Sequence, residues 1–183
     1  MQESIEITDV RLTEMAVDQM TPVMAQSGVS WYRLTLTVRN RSHEPIHLMW
    51  DIRRIRYDAG RRVLVVQLSE HDAPNESPMV GLPMPPRYRV IGAREEATIV
   101  HPLSSPITFL ETSADGARRP RYVRLAEDVN SIECTVAYET EPPPPVIDLT
   151  ARKVPDQWRG RGTTVTASWK ASPSRKERKK TSE

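Results

Sequence analysis

The chain reads as an all-β protein: an immunoglobulin-like antiparallel β-sandwich followed by an extended basic C-terminal tail. Three observations predict this. Apolar and polar residues alternate with a period of two over several short runs, which places one face of each run in a core and the other in water. Clusters of Asn, Asp, Gly and Pro separate the runs at short intervals, as in sandwiches. No long helical period occurs between residues 31 and 140. The clearest stretch is Leu34 to Leu68, where two strand-like runs flank a polar turn and a third follows Asp58-Ala59-Gly60.

Taken in order, Ile5 and Ile7 alternate, and Val10 and Leu12 alternate out of phase with them; a bulge near Thr8-Asp9 restores a single buried face. Residues 14–30 read as a loop or a short helix, limited by Pro22. Tyr32, Leu34, Leu36 and Val38 then alternate with Arg33, Thr35, Thr37 and Arg39, the pattern of a sheet wetted on one side. A polar turn, Asn40 to Pro45, leads to Ile46, Leu48, Trp50 and Ile52. Ile55 and Tyr57 continue in the opposite phase, which predicts a second bulge at Arg53-Arg54. Trp50 is expected to anchor the core. Asp58-Ala59-Gly60 reads as a hairpin connection with Gly60 in the left-handed region.

Val63 to Leu68 is almost wholly apolar and predicts a strand buried on both faces. Residues 69–87 form a long polar, proline-punctuated loop, a length usually associated with function or mobility. Tyr88–Ile91, Ala97–Val100, Ile107–Leu110 and Tyr122–Leu125 read as short strands, and Ile132, Cys134, Val136 and Tyr138 as the closing one.

This gives a domain over residues 1–140, a proline-rich spacer over 141–150 with four consecutive prolines, and a tail over 151–183 that is largely extended or disordered. The net charge of +2 conceals an asymmetry. Residues 151–183 hold ten Lys/Arg against three Asp/Glu, a net of +7. Residues 1–150 hold the remaining sixteen against twenty-one, a net of −5.

Composition also excludes function classes. One cysteine, Cys134, rules out an internal disulfide framework, and its apolar neighbours in phase predict a buried, inert thiol. The start of the chain shows no signal-peptide pattern and no apolar run nears the ~20 residues of a membrane span, so a cytoplasmic protein without membrane insertion is expected. The four histidines, His43, His47, His71 and His101, do not converge: His43 and His47 lie ~13 Å apart on an extended strand. No metal or cofactor site is expected. Ser104-Ser105 reads as a loop without a nucleophile elbow, Asp51 as an outer-face carboxylate, and no phosphate-cradling glycine loop occurs. No catalytic residues are identified and the protein is not expected to be an enzyme.

The residues Asn-Arg-Ser-His-Glu-Pro-Ile at 40–46, Tyr-Asp-Ala-Gly-Arg-Arg-Val at 57–63 and Ala-Arg-Glu-Glu-Ala-Thr-Ile at 93–99 resemble small bacterial β-sandwich modules of the FxLYD type. The likeness lies on Val38 to Val63 and Gly92 to Val100, about a third of the chain. The 58–60 turn is one residue shorter than that family's usual pattern, and Ile91-Gly92-Ala93 replaces its usual Pro-Gly. The resemblance implies an accessory or interaction module and carries no catalytic residue across.

Two surfaces are candidates for partners. In the tail, Trp158, Arg159, Arg161, Trp169 and Lys170 interleave aromatic and basic side chains, which suits an acidic protein groove or a nucleic-acid backbone with stacked bases. Against that reading, Val165, Ala167 and Trp169 share a strand phase and could add an edge strand. On the central hairpin, Arg53, Arg54, Arg56, Arg61 and Arg62 form a basic patch or a solvated face. The expected function is a non-catalytic adaptor or structural subunit of a larger assembly, with the sandwich and the tail each holding a protein partner. The alternative is an accessory protein that binds a phosphate backbone through the tail and the arginine hairpin. The oligomeric state is left open.

Overall fold

The computed structural model describes residues 4–69, 87–112, 116–143 and 162–170. These residues are mostly β, arranged as β1 (Ile5–Glu14), β2 (Ser30–Asn40), β3 (Ile46–Met49), β4 (Arg54–Asp58), β5 (Val63–Leu68), β6 (Tyr88–Ile91), β7 (Glu96–Ser105), β8 (Ile107–Thr112), β9 (Arg118–Val123), β10 (Ser131–Glu139) and β11 (Thr163–Lys170). Two short helices, α1 (Pro22–Gln26) and α2 (Leu125–Asp128), and a 3-10 turn at Val17–Gln19 complete them. Pro22 begins α1, where its missing N–H is not needed, and the Thr21 hydroxyl caps the helix by accepting from Met24 N at 3.3 Å.

One sheet is antiparallel in the order β1-β2-β7. The register of β1 on β2 slips between Ile7 and Asp9, and Ile5, Ile7, Val10 and Leu12 are all buried. The predicted bulge therefore does what the phase change requires. Tyr32, Leu34, Leu36 and Val38 are buried along β2, as their alternation predicts.

The second sheet has six strands, β4-β5-β10-β3-β6 with β11 also on β10. It is mixed rather than purely antiparallel, because β5 and β10 run parallel over Ser131–Val136. The register shows how β10 serves three neighbours. β11 lies along one edge of β10, opposite Ser131 to Tyr138. The other edge is shared end to end by β5, up to Val136, and by β3, at Tyr138 and Glu139. The chain from β3 to β4 accordingly steps sideways by one strand position at Trp50–Arg53 to admit β5. This corrects the single bulged strand expected over Ile46–Tyr57. Trp50 sits in the step, half-buried and packed against the core instead of fully inside it. The Nε1 of Trp50, the Oε1 of Gln67 and the Oγ of Ser69 are buried without a hydrogen-bond partner among the described residues.

β5 is buried on nearly every residue, with only Val65 intermediate. Inward residues of both sheets form one hydrophobic cluster that includes Leu34, Leu36, Ile46, Leu64, Ile99, Ile132 and Val136. β1 and β11 approach each other where the two sheets meet. The remaining strands, β8 and β9, form a two-stranded ribbon and, among the described residues, pair with no other strand.

Three local expectations are corrected. At the β4–β5 turn Arg62, with φ +55°, takes the left-handed conformation expected of Gly60, and side-chain bonds to the end of α2 hold it there. Leu125 is the fully buried start of α2, so the strand expected over Tyr122–Leu125 ends at Val123. Ser105 lies in β7, buried, and its Oγ accepts from Leu125 N at 3.0 Å. The long loop expected over 69–87 falls almost wholly outside the described residues, as does most of the 141–150 spacer.

Candidate interaction surfaces

Trp158, Arg159 and Arg161 lie outside the described residues. Trp169 and Lys170 end β11. Val165, Ala167 and Trp169 face inward, opposite Val136, Cys134 and Ile132, and the half-buried indole of Trp169 packs against the core cluster. Of the two readings of this segment, the edge strand is the one that forms: the strand phase of 163–170 inserts Trp169 at the sheet edge, so it is not a free aromatic of an extended tail. Lys170, opposite Ser131, remains exposed. Gly162 opens this strand with φ +83°, and a Cβ there would lie 2.8 Å from the Tyr138 carbonyl oxygen.

The five arginines of the central hairpin do not form one patch. Arg54 and Arg56 share the outer face of β4, in register with Gln67 and Val65. Arg61 reaches Asp58 at 3.9 Å and Glu133 at 3.8 Å, and its backbone N donates to Asp58 Oδ1 at 3.1 Å. Arg62 donates from Nε to the Asp128 carbonyl at 3.0 Å and from its terminal nitrogen to the Glu127 carbonyl. Arg53 lies in the step and donates its backbone N–H to Gln67 O at 2.8 Å. Arg62 is thus committed to holding the fold, while Arg61 makes only long, exposed ion pairs.

The step carries a polar clamp that the sequence reading missed. Arg87 binds both carboxylate oxygens of Asp51, with its Nη2 2.6 Å from Oδ1, while its guanidinium lies 5.1 Å from the centre of the Trp50 ring. Burial pushes the Asp51 carboxyl up, but the hydrogen bonds and charge of Arg87 prevail and hold it below the usual range. From the other sheet, the His101 ring Nε2 lies 2.7 Å from Trp50 O. Asp51 is therefore a structural ion-pair partner and not a loose outer-face carboxylate.

A second missed feature is Asn40, wholly buried at the end of β2. Its Nδ2 faces the carbonyls of Glu44 (2.8 Å), Gly92 (2.9 Å) and Ile91 (3.2 Å), and its Oδ1 accepts from Ser42 N (2.9 Å) and Ser42 Oγ (2.7 Å). One amide side chain so joins the β2–β3 turn to the β6–β7 turn.

The surface most suited to a partner is the β8–β9 ribbon. Alternation divides its side chains into two rows. The inner row docks on β4: Phe109 stacks on Tyr57 with centroids 6.4 Å apart, and Arg121 lies 5.2 Å from the centre of the same ring while binding Glu111 at 2.8 Å. The outer row consists of Thr108, Leu110 and Thr112 opposite Tyr122, Pro120 and Arg118, all exposed. Leu110 is 57% and Tyr122 63% exposed, and as diagonal neighbours they lie within side-chain reach of one another. The paired residues of the ribbon carry three arginines against one glutamate. The signal was present in the alternation of Ile107 to Thr112, but alternation does not say which row lacks a cover.

Among the described residues, no three His, Cys, Asp or Glu side chains are grouped to hold a metal ion, and no helix is long and apolar enough to cross a membrane. Burial pushes the Cys134 thiol up to about 12, so it is un-ionised at neutral pH. No protein-family model, no curated protein and no solved structure matches this chain.

Proposed function

We propose that this chain is an immunoglobulin-like β-sandwich adaptor, a non-catalytic subunit that holds a protein partner on the outer row of the β8–β9 ribbon and reaches further along an assembly with its basic tail. The observation that carries the reading is the exposed Leu110–Pro120–Tyr122 strip on a ribbon already anchored from beneath. A surface of rigid aromatic and aliphatic side chains, fixed before binding, is what dominates protein interfaces. Arg118, at one end of the outer row, favours a partner segment that is apolar and carries an acidic residue. The likeness of residues 38–63 and 92–100 to FxLYD-type modules agrees with an accessory role.

The test is a Leu110→Ser/Tyr122→Ser variant. Capture from the native host, quantified against wild type, should fall roughly tenfold or more, while the thermal midpoint stays nearly unchanged because neither side chain enters the core. Capture at wild-type level would overturn the ribbon as the docking face. The phosphate-backbone alternative loses support from Arg62, whose guanidinium is bound to the carbonyls at the end of α2. Salt separates the two: a phosphate-bound complex weakens steeply with log salt as counterions are released, a mainly apolar one weakly.

A further inference from the structure

We propose that β11 is an exchangeable strand, which leaves the β10 edge of its own chain to fill the same edge on a second copy. This stands apart from the ribbon reading, since it concerns the opposite margin of the molecule.

β11 is the last described strand, at a sheet edge, and among the described residues it pairs along its full length with β10 and with no other strand. An antiparallel neighbour of this kind ordinarily follows through a turn of 2–5 residues. Here residues 140–162 intervene, with four consecutive prolines at 142–145. Tyr138 and Thr163 are direct partners, so the gap to be closed is about 5 Å. The extended reach of the connection is on the order of 70 Å. Everything β11 recognises is on the receiving edge: the β10 ladder, the inner positions opposite Val136 and Ile132 that take Val165 and Trp169, and the approach of β1. A neighbouring copy offers an identical edge. The contacts are the same in both arrangements, so the choice is set by linkage alone, through an effective concentration on the order of mM. Exchange therefore becomes favourable where copies are crowded to that level, as in an assembly. An unfilled β10 edge, backed by the buried Ile132, Cys134 and Val136, would itself invite strand addition.

The register supplies the test. Thr135 and Thr166 are opposite one another on the outer face, with hydroxyls 2.7 Å apart. Full-length Thr135→Cys protein is mixed with full-length Thr166→Cys protein at ~1 mM, incubated, and oxidised. The native Cys134 is buried and does not compete. A disulfide-linked heterodimer should form about tenfold more than from Thr135→Cys mixed with Thr98→Cys, whose exposed position on β7 does not oppose β10. The pair Glu133→Cys and Ser168→Cys, also in register, should repeat the result. A synthetic peptide of residues 162–170 in excess should suppress it several-fold. Cross-linking no greater than the control pair, or cross-linking that the peptide does not reduce, overturns the proposal.

Discussion

Replacing Asn40 by alanine should be among the most damaging single changes to the fold. The side chain is wholly buried, and its amide nitrogen faces three carbonyl oxygens while its oxygen accepts from Ser42. The amide has two hydrogens to share among the three carbonyls and its oxygen accepts two bonds from Ser42, so about four hydrogen bonds are lost before any replacement forms. Partial substitutes remain: Ser42 Oγ lies 2.7 Å from Glu44 O, and Glu95 N donates to Gly92 O at 3.2 Å. At a net ~1 kcal/mol per bond the loss comes to about 3 kcal/mol. That is a large part of the ~5–15 kcal/mol of a typical domain, and at this chain length corresponds to a midpoint lowered by roughly 6–12 °C. Urea and thermal unfolding of Asn40→Ala measure it. Asn40→Asp sharpens the test. It keeps the acceptor for Ser42 but turns a carboxylate oxygen toward three carbonyls, so it should be at least as destabilised as alanine at pH 7. A loss below about 1 kcal/mol for Ala, or an Asp variant clearly more stable than Ala, would refute the carbonyl-cage reasoning.

Four further outcomes are expected. Trp50→Ala should cost about 2–4 kcal/mol, less than a fully enclosed indole, because the ring is covered on one side only by Arg87; an unchanged urea midpoint would place it outside the packing. Asp51 has a folded pKa below its unfolded value near 4, so the stability it supplies is present above that value and is lost as pH falls through the lower folded one. The stability gap between wild type and Asp51→Asn should hold constant from pH 7 to 5 and close below about pH 4, and a gap that persists at pH 2 contradicts the ion-pair assignment. Trp169→Ala should lower stability by about 1–3 kcal/mol, measured by thermal unfolding, because the indole covers the edge of the core; a midpoint that does not move returns Trp169 to the surface. Cys134 should react with an aromatic disulfide reagent at pH 8 only as fast as the chain opens, by unfolding or by departure of β11, and rapid stoichiometric labelling of folded protein would show that the thiol is not enclosed.

The strands were legible wherever one face is buried and the other wet. Tyr32 to Val38 and Ile132 to Tyr138 declare their inward residues by alternation, and the phase change between Ile7 and Val10 declares its bulge. What alternation cannot convey is the identity of the neighbour. Ile46 to Tyr57 carries the same pattern whether it is one bulged strand or two strands serving different partners, and only the insertion of β5 beside β10 decides between them. The same limit hid the place of Trp169, whose strand phase was visible although its partner, β10, was not. By its type Asn40 is a turn residue, and nothing in the local sequence states that the carbonyls of Ile91 and Gly92 close over it. The outer row of the ribbon was missed for the converse reason: exposure is decided by what does not pack above Leu110 and Tyr122.

The position of β10 has a consequence for the order in which the protein can be made. Within the larger sheet, β4 and β5 form one local pair and β3 and β6 another, and among the described strands it is β10 that joins the two. It is encoded after all four. A chain growing from its N-terminus can close β1 on β2 early, but the larger sheet remains in two unconnected pieces until Ser131 to Glu139 has been synthesised. Through that interval the β5 edge, Val63 to Leu68, stands without its parallel neighbour, which makes it the segment where premature association of nascent chains would begin.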